Sequence, residues 1–95
     1  MNGCVGTLAN NYTNATPAAQ PQVALLNGGR YVAVVSGTLP VSVVIQLMDR
    51  SGGWQTVQLI TATGIQTVLY LPGGIYRVNL SGGSAANLCI DLYQV

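Results

Sequence analysis

The sequence predicts an all-β protein, an antiparallel β-sandwich or jelly-roll-like domain of about seven strands. From residue 22 onward, short runs rich in β-branched and aromatic residues alternate with turn signals every 8–12 residues or so, which is typical of sandwiches and barrels. No segment keeps a helical period with caps, so helix content is expected to be close to nil. At 95 residues the chain has the length of a single domain with one core.

Glycines and prolines mark the turns between the predicted strands. Four glycine pairs, Gly28-Gly29, Gly52-Gly53, Gly73-Gly74 and Gly82-Gly83, supply the backbone freedom that tight turns require. The residues after each turn alternate in polarity, as a pleated strand with one buried face requires. The predicted strands are residues 22–26, 30–36, 41–49, 53–60, 65–71, 74–81 and 87–95.

The alternation also predicts which side chains form the core between the two sheets. The opposite faces of the strands carry apolar residues as well. A two-layer sandwich covers only one face of each sheet, so partner subunits are expected to cover the others. The expected core residues are Val41, Val43, Ile45, Leu47, Tyr76, Val78, Leu80, Leu88, Ile90 and Leu92, and the apolar residues on the opposite faces are Val32, Val34, Val44, Met48, Val57 and Val68.

The first 21 residues differ in character from the rest of the chain. They show no sustained period, contain an Asn-Asn pair and end in a stretch with two prolines. This pattern predicts an extended N-terminal arm, residues 1–21, ahead of a sandwich domain, residues 22–95. The arm is either a frayed terminus or a tether that orders on a neighbouring subunit. Its apolar residues Val5, Leu8 and Tyr12 are the interface candidates.

Charged side chains are scarce: three arginines and two aspartates give a net charge of +1. In ordinary soluble domains about a quarter of the residues are charged. Because this chain has far fewer charges, its copies repel one another weakly and self-association is expected. Three scattered arginines neutralise few phosphates, so nucleic acid is not an expected partner. No apolar run reaches the length of about 20 residues that a spanning helix needs, and the start lacks a signal-peptide pattern, so neither a membrane nor secretion is expected.

The residue set excludes most catalytic chemistry. Histidine is absent, and a carboxylate pair would require Asp49 and Asp91 to converge. Residues 49–52 are better explained as the tip of a hairpin. The two cysteines, Cys4 and Cys89, are too few for a disulfide framework or a metal site, and free thiols are expected. We therefore expect no enzymatic activity, no catalytic residues, no metal and no cofactor.

Two phrases repeat the same order of residues, NGGRYVAVV at 27–35 and LPGGIYRVNL at 71–80. Each is a turn followed by a strand, with a tyrosine on the inward face and an arginine on the outward face. The tyrosines are expected to be core aromatics with solvated hydroxyls. The arginines are either solvated or intermolecular anchors, because the guanidinium fork is favoured at interfaces. The tyrosines are Tyr31 and Tyr76, and the arginines are Arg30 and Arg77.

Three further residues are interface candidates. Val44 and Met48 lie on the outward face of the third predicted strand. Trp54, beside a glycine pair, is either a half-buried sandwich residue or a platform on which a sugar stacks.

The phrases GGRYVAVVSGT, GGWQTV and LPGGIYRVNLSG resemble those of small all-β virion proteins of tailed bacteriophages. The resemblance covers residues 28–95 and leaves out the arm. It implies a virion component, above all a capsid decoration or cement protein, and implies no catalytic residues. The matching positions are Gly29, Tyr31, Gly37, Trp54, Val57, Leu71, Pro72, Gly73, Gly74, Tyr76, Arg77 and Val78.

The expected function is therefore structural. The chain is expected to form a homo-oligomer, with a trimer favoured, to bind the major capsid protein and to stabilise the shell by several modest contacts acting together. Its expected location is the capsid surface of the virion, after assembly in the host cytoplasm. The alternative is a glycan-binding receptor-recognition module of a tail or head fibre, which would use Trp54 and exposed tyrosines. A bacterial surface subunit is a third interpretation, disfavoured by the missing signal peptide.

Overall fold

The computed structural model describes residues 4–25 and 27–95. The first three residues of the predicted arm, and Leu26 in the first predicted strand, lie outside the described residues. Two antiparallel sheets pack together in a slab of 34 × 34 × 18 Å, and the described residues contain no helix. The prediction of an all-β sandwich is confirmed.

The described residues form nine β-strands. Six of the seven predicted runs appear as single strands, and the fifth is divided into β6 and β7. An additional strand, β1, precedes them all. The strands are β1 (Cys4–Asn14), β2 (Val23–Leu25), β3 (Gly29–Thr38), β4 (Ser42–Met48), β5 (Trp54–Leu59), β6 (Gly64–Ile65), β7 (Leu69–Leu71), β8 (Gly74–Ser81) and β9 (Ala85–Gln94).

The two sheets use strands that are distant in sequence. The first sheet has the order β1-β9-β3-β6, and β7 also pairs with β3 along the same edge. The second sheet has the order β2-β8-β4-β5. Neighbouring strands are antiparallel throughout both sheets. Successive strands therefore pass repeatedly from one sheet to the other, and the core forms between them.

The core consists of the inward side chains of both sheets. Most of the expected core residues are buried, including all those named on β8 and β9. Val41 was expected in the core but is exposed, because β4 begins one residue later and Val41 packs over the turn at Gly82. Val57 was expected to face outward but packs against the core. The largest fully buried side chains are Tyr31, Tyr76, Leu8, Ile45, Leu80, Leu88, Ile90, Leu92, Val35, Val43 and Val78.

The expectation of an arm outside the fold needs a correction. Residues Cys4–Asn14 form the edge strand β1, which pairs with β9 along most of its length. Leu8 and Ala9 are buried in the common core, so this strand belongs to the sandwich. Four register shifts interrupt the pairing, and each of them disturbs the alternation that marks a strand in a sequence.

The two repeated glycine phrases form the same arrangement of a turn and a buried tyrosine, at the same end of the sandwich. Tyr31 and Tyr76 are buried, and each hydroxyl donates a hydrogen bond to the carbonyl oxygen four residues earlier, of Asn27 and Pro72 respectively. The two turns also approach each other, because a Cβ on Gly28 would lie 3.4 Å from the backbone of residues 71–73. The hydroxyls thus bond to turn carbonyls, where the sequence had suggested solvated groups.

Candidate functional site

The outward surface of the first sheet, called here the first face, is largely apolar. It consists of outward residues of β3, β6, β7 and β9. Ile65 and Tyr70 are both 78% exposed, and Ile65 pairs with Val34, whose other neighbour across the sheet is Asp91. The residues that define the first face are Arg30, Val32, Val34, Ile65, Tyr70, Asp91 and Tyr93.

Asp91 is the one carboxylate on the first face, and it is half-buried. Its side chain points outward because Ile90 and Leu92, on either side of it, are in the core. Thr7 on β1 donates a hydrogen bond of 2.8 Å to Asp91 Oδ1. This is its one side-chain hydrogen bond among the described residues, and it leaves Oδ2 available to a positively charged group.

The outward surface of the second sheet, called here the second face, unites four of the sequence-predicted interface residues. Val44, Met48, Trp54 and Arg77 were singled out separately, and strand pairing places them together on β4, β5 and β8. Leu59 pairs with Val44 and is 53% exposed. The residues that define the second face are Val44, Gln46, Met48, Trp54, Leu59, Ile75 and Arg77.

Arg77 is held in a fixed position at the middle of the second face. Its guanidinium carbon lies 4.3 Å from the centroid of the Trp54 ring, in a cation–π contact. Its Nε donates a hydrogen bond of 2.9 Å to Gln46 Oε1. Among the described residues these are its side-chain partners, so the two terminal nitrogens keep their hydrogen-bond donors for another molecule.

The remaining candidates lie elsewhere. Leu8 is corrected from interface residue to core residue, because its side chain is only 1% exposed. Tyr12 packs against the core, and its hydroxyl accepts hydrogen bonds from Asn14 Nδ2 and the backbone N–H of Ala18. Val5 is partly exposed at the rim of a shallow cleft. Arg30 lies near the start of β3, beside Tyr70 on the first face.

Sequence reasoning missed four members of the first face, Ile65, Tyr70, Asp91 and Tyr93. Ile65 and Tyr70 belong to the run expected to be a single strand, so their exposure on two short edge strands was not visible in the sequence. Asp91 did have a usable signal. It is the charged member of the alternating stretch NLCIDLYQV, and its neighbours are all apolar, so its outward position could have been inferred.

The two aspartates lie on different sheets. Asp49 follows β4 at the tip of the β4–β5 hairpin, as predicted, whereas Asp91 lies within β9 of the first sheet. Asp49 Oδ2 accepts a hydrogen bond from Gln55, and Oδ1 accepts bonds from the Ser51 side chain and the backbone N–H of Gly53. The Gln55 bond, followed by those of Ser51 and Gly53, lowers the pKa of Asp49 from 3.8 to about 2. The carboxylate therefore holds the hairpin tip together.

We expect the Asp49→Asn variant to be less stable than the wild type at neutral pH, because the charged acceptor is lost. A lowered native pKa means that the stabilisation is present above the unfolded pKa of 3.8 and is lost as the pH falls from there to about 2. Thermal unfolding midpoints from pH 7 to pH 2 measure this. The difference between wild type and variant should shrink in the acid range, and a pH-independent difference would contradict the assignment.

The thiols and the described carboxylates do not gather into a cluster. Cys4 and Cys89 are both free. The Cys89 thiol accepts a 3.3 Å hydrogen bond from the backbone N–H of Asn11 and donates one of 3.3 Å to Asn11 Oδ1. Residues 4–25 and 27–95 contain no group of three or more His, Cys, Asp or Glu that could hold a metal ion. No helix in this part of the chain has the length and apolarity to span a bilayer.

The fold and its surfaces define a small β-sandwich with two partly apolar outer faces. No protein-family model matches the chain, and no characterised protein or solved structure matches it significantly.

Proposed function

We propose that the protein is a structural virion subunit, a decoration or cement protein that self-associates and binds the major capsid protein of a tailed phage. The observation that carries the proposal is the pair of outward apolar faces. Both sheets present large apolar side chains to solvent, among them Ile65, Tyr70 and Leu59. Only five formal charges limit contact between copies. A subunit that is covered by neighbours in an assembly explains both features.

The strand order supports a finer proposal, that the sandwich is a jelly roll. If β6 and β7 are counted as one interrupted strand, each sheet has four strands, in the orders β1-β9-β3-β6 and β2-β8-β4-β5. Eight strands in two packed sheets with long connections are typical of jelly rolls, which occur in viral capsid and lectin domains. This is an argument by analogy of fold, and it accommodates the capsid and glycan functions equally.

Binding to capsids tests the proposal directly. Purified chain mixed with shells of the phage that encodes it should co-sediment with them up to a fixed number of copies per capsomer. It should also raise the temperature at which the shells release their contents, because several bridging contacts must break together. Shells from an unrelated phage are the control. A chain that stays in the supernatant at saturating concentration would contradict the proposal.

Glycan binding by a fibre module is the second candidate, and one observation favours it. Tyr70 is 78% exposed and lies beside Arg30, which offers an aromatic ring and a hydrogen-bond donor to a sugar. Trp54, the other candidate platform, already has Arg77 stacked over its ring. Saccharide titrations followed by NMR should show millimolar binding that is lost in Tyr70→Ala or Trp54→Ala without unfolding. If added saccharide shifts the NMR signals of neither Tyr70 nor Trp54, this function is excluded.

A further inference from the structure

The first and second faces share one plan with opposite charge. The first face carries the exposed Arg30 beside Tyr70, four residues along β3 from Val34, the neighbour of Asp91. Near its middle each face has one half-buried charged side chain with apolar residues around it, Asp91 on the first face and Arg77 on the second. Neither has a partner of opposite charge among its recorded side-chain contacts in the described residues. The faces lie on opposite sides of a slab 18 Å thick, so one copy cannot join them to each other.

We infer that the second face of one copy binds the first face of another, with Arg77 donating to Asp91 across the contact. This inference rests on the proposed self-association and names the surfaces that carry it. The occupant is a second copy because the half-buried charged groups of the two faces are complementary: a guanidinium with free terminal nitrogens on one side and a carboxylate with a free oxygen on the other. Arginine and carboxylate form the strongest type of paired hydrogen bond when both are held in place.

The geometry of the two charged groups suits such a contact. Gln46 and Trp54 hold the Arg77 side chain, and Thr7 holds Asp91, so little side-chain freedom is lost on binding. The apolar residues around each charge exclude water, which strengthens the pair. Because the contact joins different surfaces, a dimer leaves one face of each type open, so growth beyond two copies is expected, as a ring if the rotation closes and as a chain otherwise.

Charge exchange between two variants tests the inference. Arg77→Glu leaves the first face intact, and Asp91→Arg leaves the second face intact. Each variant alone places like charges opposite each other, so its self-association should weaken roughly tenfold or more relative to wild type. An equimolar mixture of the two should regain association, because every contact then joins opposite charges. Sedimentation velocity over a range of concentrations, with thermal unfolding to confirm that each variant folds, measures both effects.

The control is Arg50→Glu, which makes the same change of charge at the exposed hairpin tip and should leave association unchanged. If the wild type is oligomeric and both single variants associate as it does, the contact is wrong while self-association stands. If association is lost in each variant but does not return on mixing, Asp91 and Arg77 do not meet and the inference is overturned. A wild type that stays monomeric at millimolar concentration overturns the inference together with the proposed self-association.

Discussion

Replacing Gly37 with alanine should cost more than about 3 kcal/mol of unfolding free energy, the largest effect expected of any single methyl group in this chain. Gly37 has a φ of 95°. A Cβ placed on it would lie 2.2 Å from the carbonyl oxygen of Asn87 and 2.8 Å from that of Ala86. Both obstacles are backbone atoms of β9, so they cannot move aside without breaking the pairing of β3 with β9.

The same change at Gly52 is the matched control. Gly52 has a similar φ of 88°, but nothing lies within 4 Å of its added Cβ. Gly52→Ala should therefore cost only the backbone strain, about 1 kcal/mol. Urea unfolding of both variants measures the two costs. Gly37 lies at a register shift between Ser36 and Thr38, where β3 pairs with β9. Equal losses would mean that this shift accommodates a side chain, and the described contact between Gly37 and Asn87 would be wrong.

Truncating Tyr76 to alanine should cost about 3–5 kcal/mol, because its ring is fully buried between the sheets. Tyr76→Phe keeps the ring and removes the hydroxyl, which donates a 2.5 Å hydrogen bond to the carbonyl oxygen of Pro72. That change should cost about 1–2 kcal/mol, since the carbonyl loses its partner. Burial, and then the nearby Tyr31, raise the pKa of the Tyr76 phenol, so it stays a donor at neutral pH.

Tyr31→Phe is the internal comparison for the hydroxyl. Tyr31 occupies the same place in its own glycine phrase, and its hydroxyl donates a hydrogen bond to the carbonyl oxygen of Asn27. Tyr31→Phe should therefore lower the unfolding free energy by about as much as Tyr76→Phe. Urea unfolding should show a moderate cost for both phenylalanine variants and a much larger one for Tyr76→Ala. If both phenylalanine variants have the unfolding free energy of the wild type, the hydroxyls add no stability and the repeated phrase only places an aromatic ring in the core.

The sequence allowed the regular part of the fold to be predicted. Strand β8 alternates from Ile75 onward, and β9 alternates from Leu88 to Leu92, so the inward residues of both followed from a period of two. The predicted bounds of β8 match those observed, whereas β9 begins at Ala85, two residues earlier than predicted. Strand β1 could not be found in this way, since its register shifts disturb the alternation. The break between β6 and β7 could not be predicted from the sequence of residues 65–71 either. The chain stays beside β3 across the break, where the backbone N–H of Gln66 donates a hydrogen bond to the carbonyl oxygen of Ala33.

The candidate surfaces could be predicted residue by residue but not as groups. Val44 and Met48 were recognised as outward apolar residues of one strand, and Trp54 and Arg77 as unusual side chains of two others. Their meeting on one face depends on β4 lying between β5 and β8, and this order follows from long-range pairing. The prediction for Leu8 was wrong. This apolar residue lies in a segment without regular alternation and was assigned to an interface, but its side chain is in the core.

Electron cryo-microscopy of particles purified from the encoding phage tests most directly the proposal that this chain is a subunit of a phage shell. We predict copies of this two-sheet slab at regular positions between capsomers, with at least one outer face covered by a neighbouring subunit. Particles that carry the chain only on tail fibres, or that lack it altogether, would contradict the proposal.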